Sequence, residues 1–242
     1  MTELRYLPDA DDVTTFTATV ADASPDAIVL DATYFYPEGG GQPGDTGELT
    51  WEDGSARVVD VRKDHGDVRH DVDDVSGSLP STGATVEGKI DADRRDRISR
   101  MHTAQHVVSR VVLDEYGAST AGNQIHEDRS RIDFEPASFD AEDLERIEER
   151  ANEAVARDLP IRKENRPRPT VESQVDEGRS LLSFIPDHVD PLRVVEIGDW
   201  DVCPCGGTHV DRLGEIGRIA ITGRTTKGAD IDRIEFELES VE

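Results

Sequence analysis

Lysine, cysteine, methionine and aromatic residues are all scarce in this chain. Only four of its 27 basic residues are lysine, it has two cysteines and two methionines, and aromatics make up 5%. The cysteines, Cys203 and Cys205, are one residue apart, too close to staple a fold, so a disulfide framework is excluded and a reducing compartment fits. No stretch approaches the roughly 18 apolar residues of a membrane-spanning helix. Residues 1–12 carry neither a basic segment nor the apolar run of a secretory leader. The expectation is a soluble, cytoplasmic protein.

Positive charge is the other shortage. The chain has 53 Asp and Glu against 27 Lys and Arg, a net charge of -26. Disorder is not the reason, because apolar runs with strand or helix period recur along the whole length. The acidity therefore coats a folded globule. Such a surface suits molar salt, where the Debye length shrinks to about 3 Å and self-repulsion is screened. The reading is halophilic, and in such a chain the global sign says little about a local nucleic-acid groove.

At 242 residues the chain can bury two modest cores. From Thr14 to Ile90, short β-rich runs (Thr15–Val20, Ala27–Leu30, Ala56–Val61 and Thr85–Ile90) are broken by turn residues, as in a small β-barrel or curled sheet. The segment 36–47 holds too many Gly and Pro for a strand and is a shaped loop. The stretch 73–83 reads as a second, polar loop. Beyond a boundary near Asp91, Asp93 can cap a helix running from Arg94 to about Tyr116, with Ile98, Met101, Val108, Val111 and Val112 as its apolar stripe. A strand follows at Ser130–Phe134 and a helix at Asp140–Arg157 that buries Leu144, Ile147, Ala151, Ala154 and Val155. Then come a shorter helix around Val171–Leu182 and strands at Arg193–Ile197, Gly217–Thr222 and Ile231–Leu238. The fold class is α+β: a barrel domain over residues 1–90, then a mixed α/β domain over 91–242.

Two short motifs carry chemistry. His102 and His106 are four residues apart on the first helix, so both imidazoles lie on one face. Cys205-Gly206-Gly207-Thr208-His209 adds a thiol and an imidazole from a Gly-rich turn. Alone, an i,i+4 histidine pair is more often exposed or satisfied within a core than metal-bound. Two compact donor pairs in one chain favour a site, and three nitrogens with one sulfur suit Zn²⁺. A zincin-type peptidase is excluded, because its general-base Glu would follow the first histidine and Thr103 stands there.

The segments Arg97-Ile98-Ser99-Arg100-Met101-His102-Thr103-Ala104-Gln105-His106, Asp199-Trp200-Asp201-Val202-Cys203-Pro204-Cys205-Gly206-Gly207-Thr208-His209 and Gly214-Glu215-Ile216-Gly217 resemble the editing domain of alanyl-tRNA synthetase and its free-standing relatives, the AlaX proteins. The segment Phe35-Tyr36-Pro37-Glu38-Gly39-Gly40-Gly41-Gln42-Pro43-Gly44-Asp45-Thr46-Gly47 resembles the glycine-rich motif of the barrel preceding that domain in medium-length members. The likeness spans nearly the whole chain. It implies a zinc in the cleft of the editing domain, held by His102, His106, Cys205 and His209. It also implies an ATP-independent reaction: hydrolysis of the ester joining a wrong amino acid, chiefly serine with glycine as second candidate, to alanine tRNA. Cys203 has no counterpart in the pattern and is expected to pack or tune.

An aminoacyl ester is already activated, so a metal that orients the substrate or a water suffices without a nucleophilic triad. A pocket made for alanine rejects an added hydroxyl poorly, hence a second site that hydrogen-bonds it. Candidate substrate contacts are Thr103, Gln105 and Thr120, with Gly40, Gly41 and Gln42 of the glycine-rich loop; helical geometry turns Thr103 and Gln105 away from the histidine face. Cations available to tRNA are Arg94, Arg95, Arg97 and Arg100; Arg162, Lys163, Arg166 and Arg168; and Arg218, Arg224, Lys227 and Arg233, each of which could equally pair with local carboxylates. Two alternatives stay open: editing of seryl-tRNA for threonine, and a non-catalytic RNA-binding module with a structural zinc. The catalytic base and the oligomeric state are left unassigned.

Overall fold

The computed structural model describes residues 1–176, 178–179, 182 and 185–239. They form two compact units, Met1–Asp96 and Arg97–Glu242. No helix among the described residues is long and apolar enough to cross a membrane.

The first unit runs β1 (Glu3–Leu4), β2 (Thr15–Ser24), β3 (Ala27–Leu30), β4 (Ala32–Thr33), β5 (Gly47–Trp51), β6 (Gly54–Asp64), β7 (Asp67–Gly77) and β8 (Thr85–Ile90). Six strands close a barrel in the order β2-β3-β7-β6-β5-β8, and β1 pairs with β4 in parallel. Alternation drives it: Phe16, Ala18 and Val20 of β2 point inward beside Val86 and Ile90 of β8, while the intervening residues face water. Gly88 lies inward between those two, and a Cβ there would stand 2.5 Å from the Phe16 ring, so β8 needs glycine at that place.

One expectation is corrected here, and one strand was not foreseen. The stretch 73–83 is not a loop throughout, since β7 continues to Gly77. Its charges sit on the outside in cross-strand pairs, as where Arg57 meets Asp73 at 2.7 Å, and such pairs mask the apolar alternation. Strand β5 was also unannounced, because its five residues follow directly on the glycine-rich loop.

Helix α1 (Ala92–Tyr116) passes from the first unit into the second. Its N-terminal cap is Asp91, whose carboxylate accepts from the Arg94 amide at 3.0 Å; Asp93 lies inside the first turn, where its charge suits the helix dipole. The second unit continues with β9 (Ser119–Ile125), β10 (Ser130–Glu135), α2 (Ala141–Ala156), β11 (Ile161–Arg166), α3 (Arg168–Gln174), β12 (Leu192–Ile197), β13 (Asp201–Pro204), a 3-10 turn at Leu213–Ile216, β14 (Arg218–Thr226) and β15 (Asp232–Glu239). The expected helix at 171–182 begins earlier and ends at Gln174, and part of that span lies outside the described residues.

Strands β14-β15-β10-β9 form one antiparallel sheet and β11-β12-β13 another. Ile98, Met101, Val108 and Val112 of α1 share a core with Ile132, Phe134, Ile147, Ala151, Ile234 and Phe236. Helix α2 is started by a reciprocal cap, Asp140 accepting from the Asp143 amide at 3.0 Å and Asp143 from the Asp140 amide at 2.9 Å. The buried stripe of α1 leaves its other face, with His102 and His106, to meet the β12–β13 region.

Candidate metal centre

His102 and His106 come from the third and fourth turns of α1, and Cys205 and His209 from the turn after β13. Their donor atoms all lie within 4.8 Å of one another. The Cys205 Sγ stands 3.5 Å from His102 Nε2 and 3.3 Å from His209 Nε2, and the His102 and His209 rings are 4.3 Å apart. The three histidines are buried and Cys205 is half-buried. Three imidazolium rings this close would repel strongly, so the cluster does not hold three positive charges together.

The protonation states agree. Burial pushes His106 below its ordinary pKa, and burial with the neighbouring His102 and His106 pushes His209 well below it. Burial alone would raise the Cys205 thiol, but contact with His106, and then Arg193 and the Gly207 amide, lowers it. Neutral imidazoles beside a thiolate are the forms that ligate a soft or borderline cation.

Around the donors, neighbouring side chains fix their direction. Thr103 Oγ1 donates its single proton to the Ser99 carbonyl at 2.8 Å. Its 3.1 Å contact with His209 Nδ1 must therefore run from N–H to hydroxyl oxygen. This tautomer leaves Nε2, the nitrogen facing Cys205, without a proton. The Arg193 guanidinium donates to the carbonyls of Cys205 (2.7 Å) and Gly207 (2.9 Å) and so holds the turn from beneath. Arg179 donates to the His106 carbonyl at 3.3 Å and to Asp201 at 2.7 Å. Lys163 donates to Asp211 at 2.7 Å and to the His209 carbonyl at 3.4 Å. Sequence reasoning missed Arg193, Arg179 and Asp201 in these roles; the one local signal was Arg193, a cation within β12, which single-sequence patterns do not distinguish from surface charge.

Of the remaining candidates, Gln105 is buried, its amide donating to Ser130 and its carbonyl accepting from Asn123 at 2.9 Å. Thr120 is half-buried and donates to Ser109 at 3.0 Å. In the first unit, Gly40 and Gly41 have positive φ of 59° and 84° and form the tip of a tight turn closed by Gly39 and Gln42, whose amides and carbonyls exchange bonds of 3.1 and 3.0 Å. Two central residues in that conformation call for glycine. Gln42 is buried. The neck of the loop is held by Asp45, which accepts from the Tyr36 amide and from Arg95 Nε at 3.0 Å.

Two of the cations expected to face tRNA are corrected. Arg95 is buried on Asp45 and Lys163 is buried beneath His209 and Asp211. Arg166, Arg168 and Arg233 are engaged with Glu196, Glu172 and Asp133. Arg162 and Arg218 remain exposed.

The family model described as tRNA synthetases class II (A) matches residues 9–94, and that of the threonyl and alanyl tRNA synthetase second additional domain matches residues 192–235. The alanyl-tRNA editing protein AlaX-M of Methanosarcina barkeri is 40% identical over 98% of this chain and 99% of its own length. That of Methanosarcina acetivorans is 38% identical over 98% and 99%. The chain belongs to the AlaX-M family of alanyl-tRNA editing proteins. Alanine–tRNA ligase of Methanopyrus kandleri is 42% identical over 86% of the chain but only 23% of the ligase, so this chain corresponds to one portion of a much longer synthetase. Cys205 and His209 fall within the second family match and His102 and His106 outside both; the donor set is completed by the fold.

Proposed function

We propose that this protein is a zinc-dependent aminoacyl-tRNA hydrolase that removes wrongly attached amino acids, chiefly serine and secondarily glycine, from alanine tRNA. The observation supporting this reading is the convergence of His102, His106, Cys205 and His209 in a chain of the alanyl-tRNA editing family. When bound, the zinc would supply a Lewis acid that polarises the ester or orients the substrate's amino group. The donor set fits that ion, having three imidazole nitrogens and one cysteine sulfur.

In this reading the chain's own groups divide the work. Thr103 acts through His209, whose tautomer it sets, and Arg193 holds the turn that carries Cys205. Thr120 receives the substrate's side-chain hydroxyl, and Gln105 acts through Asn123 and Ser130. Gly40, Gly41 and Gln42 shape the barrel loop that approaches the acceptor end. The net charge of -26 with so little lysine adapts the surface to a cytoplasm at molar salt.

The test is release of labelled serine or glycine from mischarged alanine tRNA, with alanyl-tRNA and seryl-tRNA for threonine as comparisons. Preferential release from seryl-tRNA for alanine is expected. The description of the second family match names threonyl as well as alanyl synthetases; equal rates on the two tRNAs would place the specificity elsewhere. Four protein donors can also close a tetrahedron around a structural zinc, and zinc-retaining protein that releases nothing would make the chain an RNA-binding module.

A further inference from the structure

The second unit carries a cleft of about 340 Å³ that none of the roles above uses. It is lined by Val111, Asp114 and Glu115 of α1, by Arg150, Glu153, Ala154 and Arg157 on and just after α2, and by Trp200. Its size is at the lower end of the roughly 300–1,000 Å³ typical of small-molecule sites, enough for one nucleotide-sized group.

We infer that this cleft binds a nucleobase of the single-stranded 3′ end of tRNA, stacked on Trp200. The inference rests on the proposed hydrolase reading, and three features support it.

Trp200 is presented by a built hairpin turn between β12 and β13. Gly198 takes φ of 52°, and a Cβ there would meet Leu159 at 3.2 Å. The Trp200 amide closes the turn on the Ile197 carbonyl at 2.9 Å. The indole is half-buried, with the Arg157 guanidinium 5.7 Å from its centroid. That is within cation–π range yet farther than stacked contact. A base laid on the indole moves this exposed guanidinium outward, where it meets a phosphate.

The polar rim matches the bases of a CCA terminus. Cytosine and adenine both carry exocyclic amines that donate, and a carboxylate is the natural acceptor for that of cytosine; Asp114, Glu115 and Glu153 line the cleft, each also paired with an arginine, Arg110, Arg146 and Arg150 in turn. Arg150, which pairs with Glu153 at 2.8 Å and Glu115 at 3.6 Å, offers a donor for a ring nitrogen or carbonyl oxygen. Stacking also depends little on salt, whereas phosphate contacts weaken steeply with it. A highly acidic chain thus gains most from an aromatic platform.

The position is also suitable. Arg110 and Asp114 follow His102 and His106 at i,i+4 steps along α1, each step about 40° farther round the axis. Asp114 lies eight residues beyond His106, about 12 Å along the helix axis. This is within reach of the unpaired nucleotides that precede the ester-bearing one.

The test is titration of the full-length protein at molar KCl with the trinucleotide CpCpA and with AMP, following tryptophan fluorescence in wild type, W200F and R150A. The chain has two tryptophans, and Trp51 lies in the barrel, so W200F isolates the Trp200 signal. Saturable quenching by CpCpA is expected, lost in W200F and shifted to at least about fivefold higher concentration in R150A, as loss of one base contact predicts. In deacylation, W200F should raise KM for seryl-tRNA by about fivefold or more and leave hydrolysis of 3′-seryl-adenosine unchanged. Absence of saturable quenching, or equally tight AMP and CpCpA, overturns the inference. If instead CpCpA binds through Trp200 but no serine is released from any substrate, the hydrolase reading fails and the nucleobase site stands.

Discussion

Histidine is buried in both units but differently. In the barrel, His70 is fully buried, and burial holds its pKa down at about 4. Its Nδ1 donates to the Ile28 carbonyl at 3.0 Å, so its Nε2 accepts from the Thr33 hydroxyl at 2.9 Å. Both nitrogens are satisfied, and the Phe35 ring packs edge-on at 5.3 Å. In the second unit, His209 has one nitrogen fixed by Thr103 and the other turned toward the Cys205 sulfur and two more imidazoles. A depressed pKa is common to both, so burial alone does not mark function. What separates them is where the second nitrogen points.

The largest effect should come from removing a member of the open set. Cys205→Ala should abolish stoichiometric metal, read by elemental analysis, and lower deacylation by more than about 100-fold, beyond what outer-sphere changes do. Thr103→Val keeps the volume but removes the oxygen that holds the His209 tautomer. Its metal affinity should drop about 10–100-fold, measured by chelator competition, with the fold retained.

In the barrel the same kind of deletion should be silent in metal and visible in stability. His70→Ala removes the acceptor of the Thr33 hydroxyl proton and the imidazole donor to the Ile28 carbonyl, and opens a cavity. It should cost about 2–4 kcal/mol in denaturant unfolding, with metal content unchanged. The sign with pH follows from the depressed pKa. The unfolded chain binds the proton near the ordinary histidine value of about 6.5 and the folded chain only near 4, so His70 contributes stability above about 6.5 that is lost as pH falls toward 4. The slope is at most about 1.4 kcal/mol per pH unit, and His70→Gln in zinc-saturated buffer should flatten it.

The smallest effect is expected at Cys203. Burial pushes its thiol up to about 12, so it stays protonated and is a poor ligand; Cys203→Ser should leave zinc content and activity unchanged.

The same contrast explains what could be read from the sequence. His102 and His106 declare themselves through helical spacing, and Cys205 and His209 through a Gly-rich turn, because those signals are local. The barrel was legible where strands alternate cleanly, as in β2 and β8. Strand β7 was not, because its inward positions include a polar residue, His70, whose partners come from β3 and β4. Arg193, Arg179 and Lys163 were illegible for a related reason: what makes them internal is the carbonyl or carboxylate each meets, and those lie 12–48 positions away along the chain.

The most direct test of the account is to strip the protein with a chelator and add back zinc in stoichiometric steps, following serine release from mischarged alanine tRNA. Deacylation should be lost on stripping and return linearly to a break at one zinc per chain, and Cys205→Ala should show no return. Full activity in the stripped protein would contradict the assignment of His102, His106, Cys205 and His209 as the centre of the reaction.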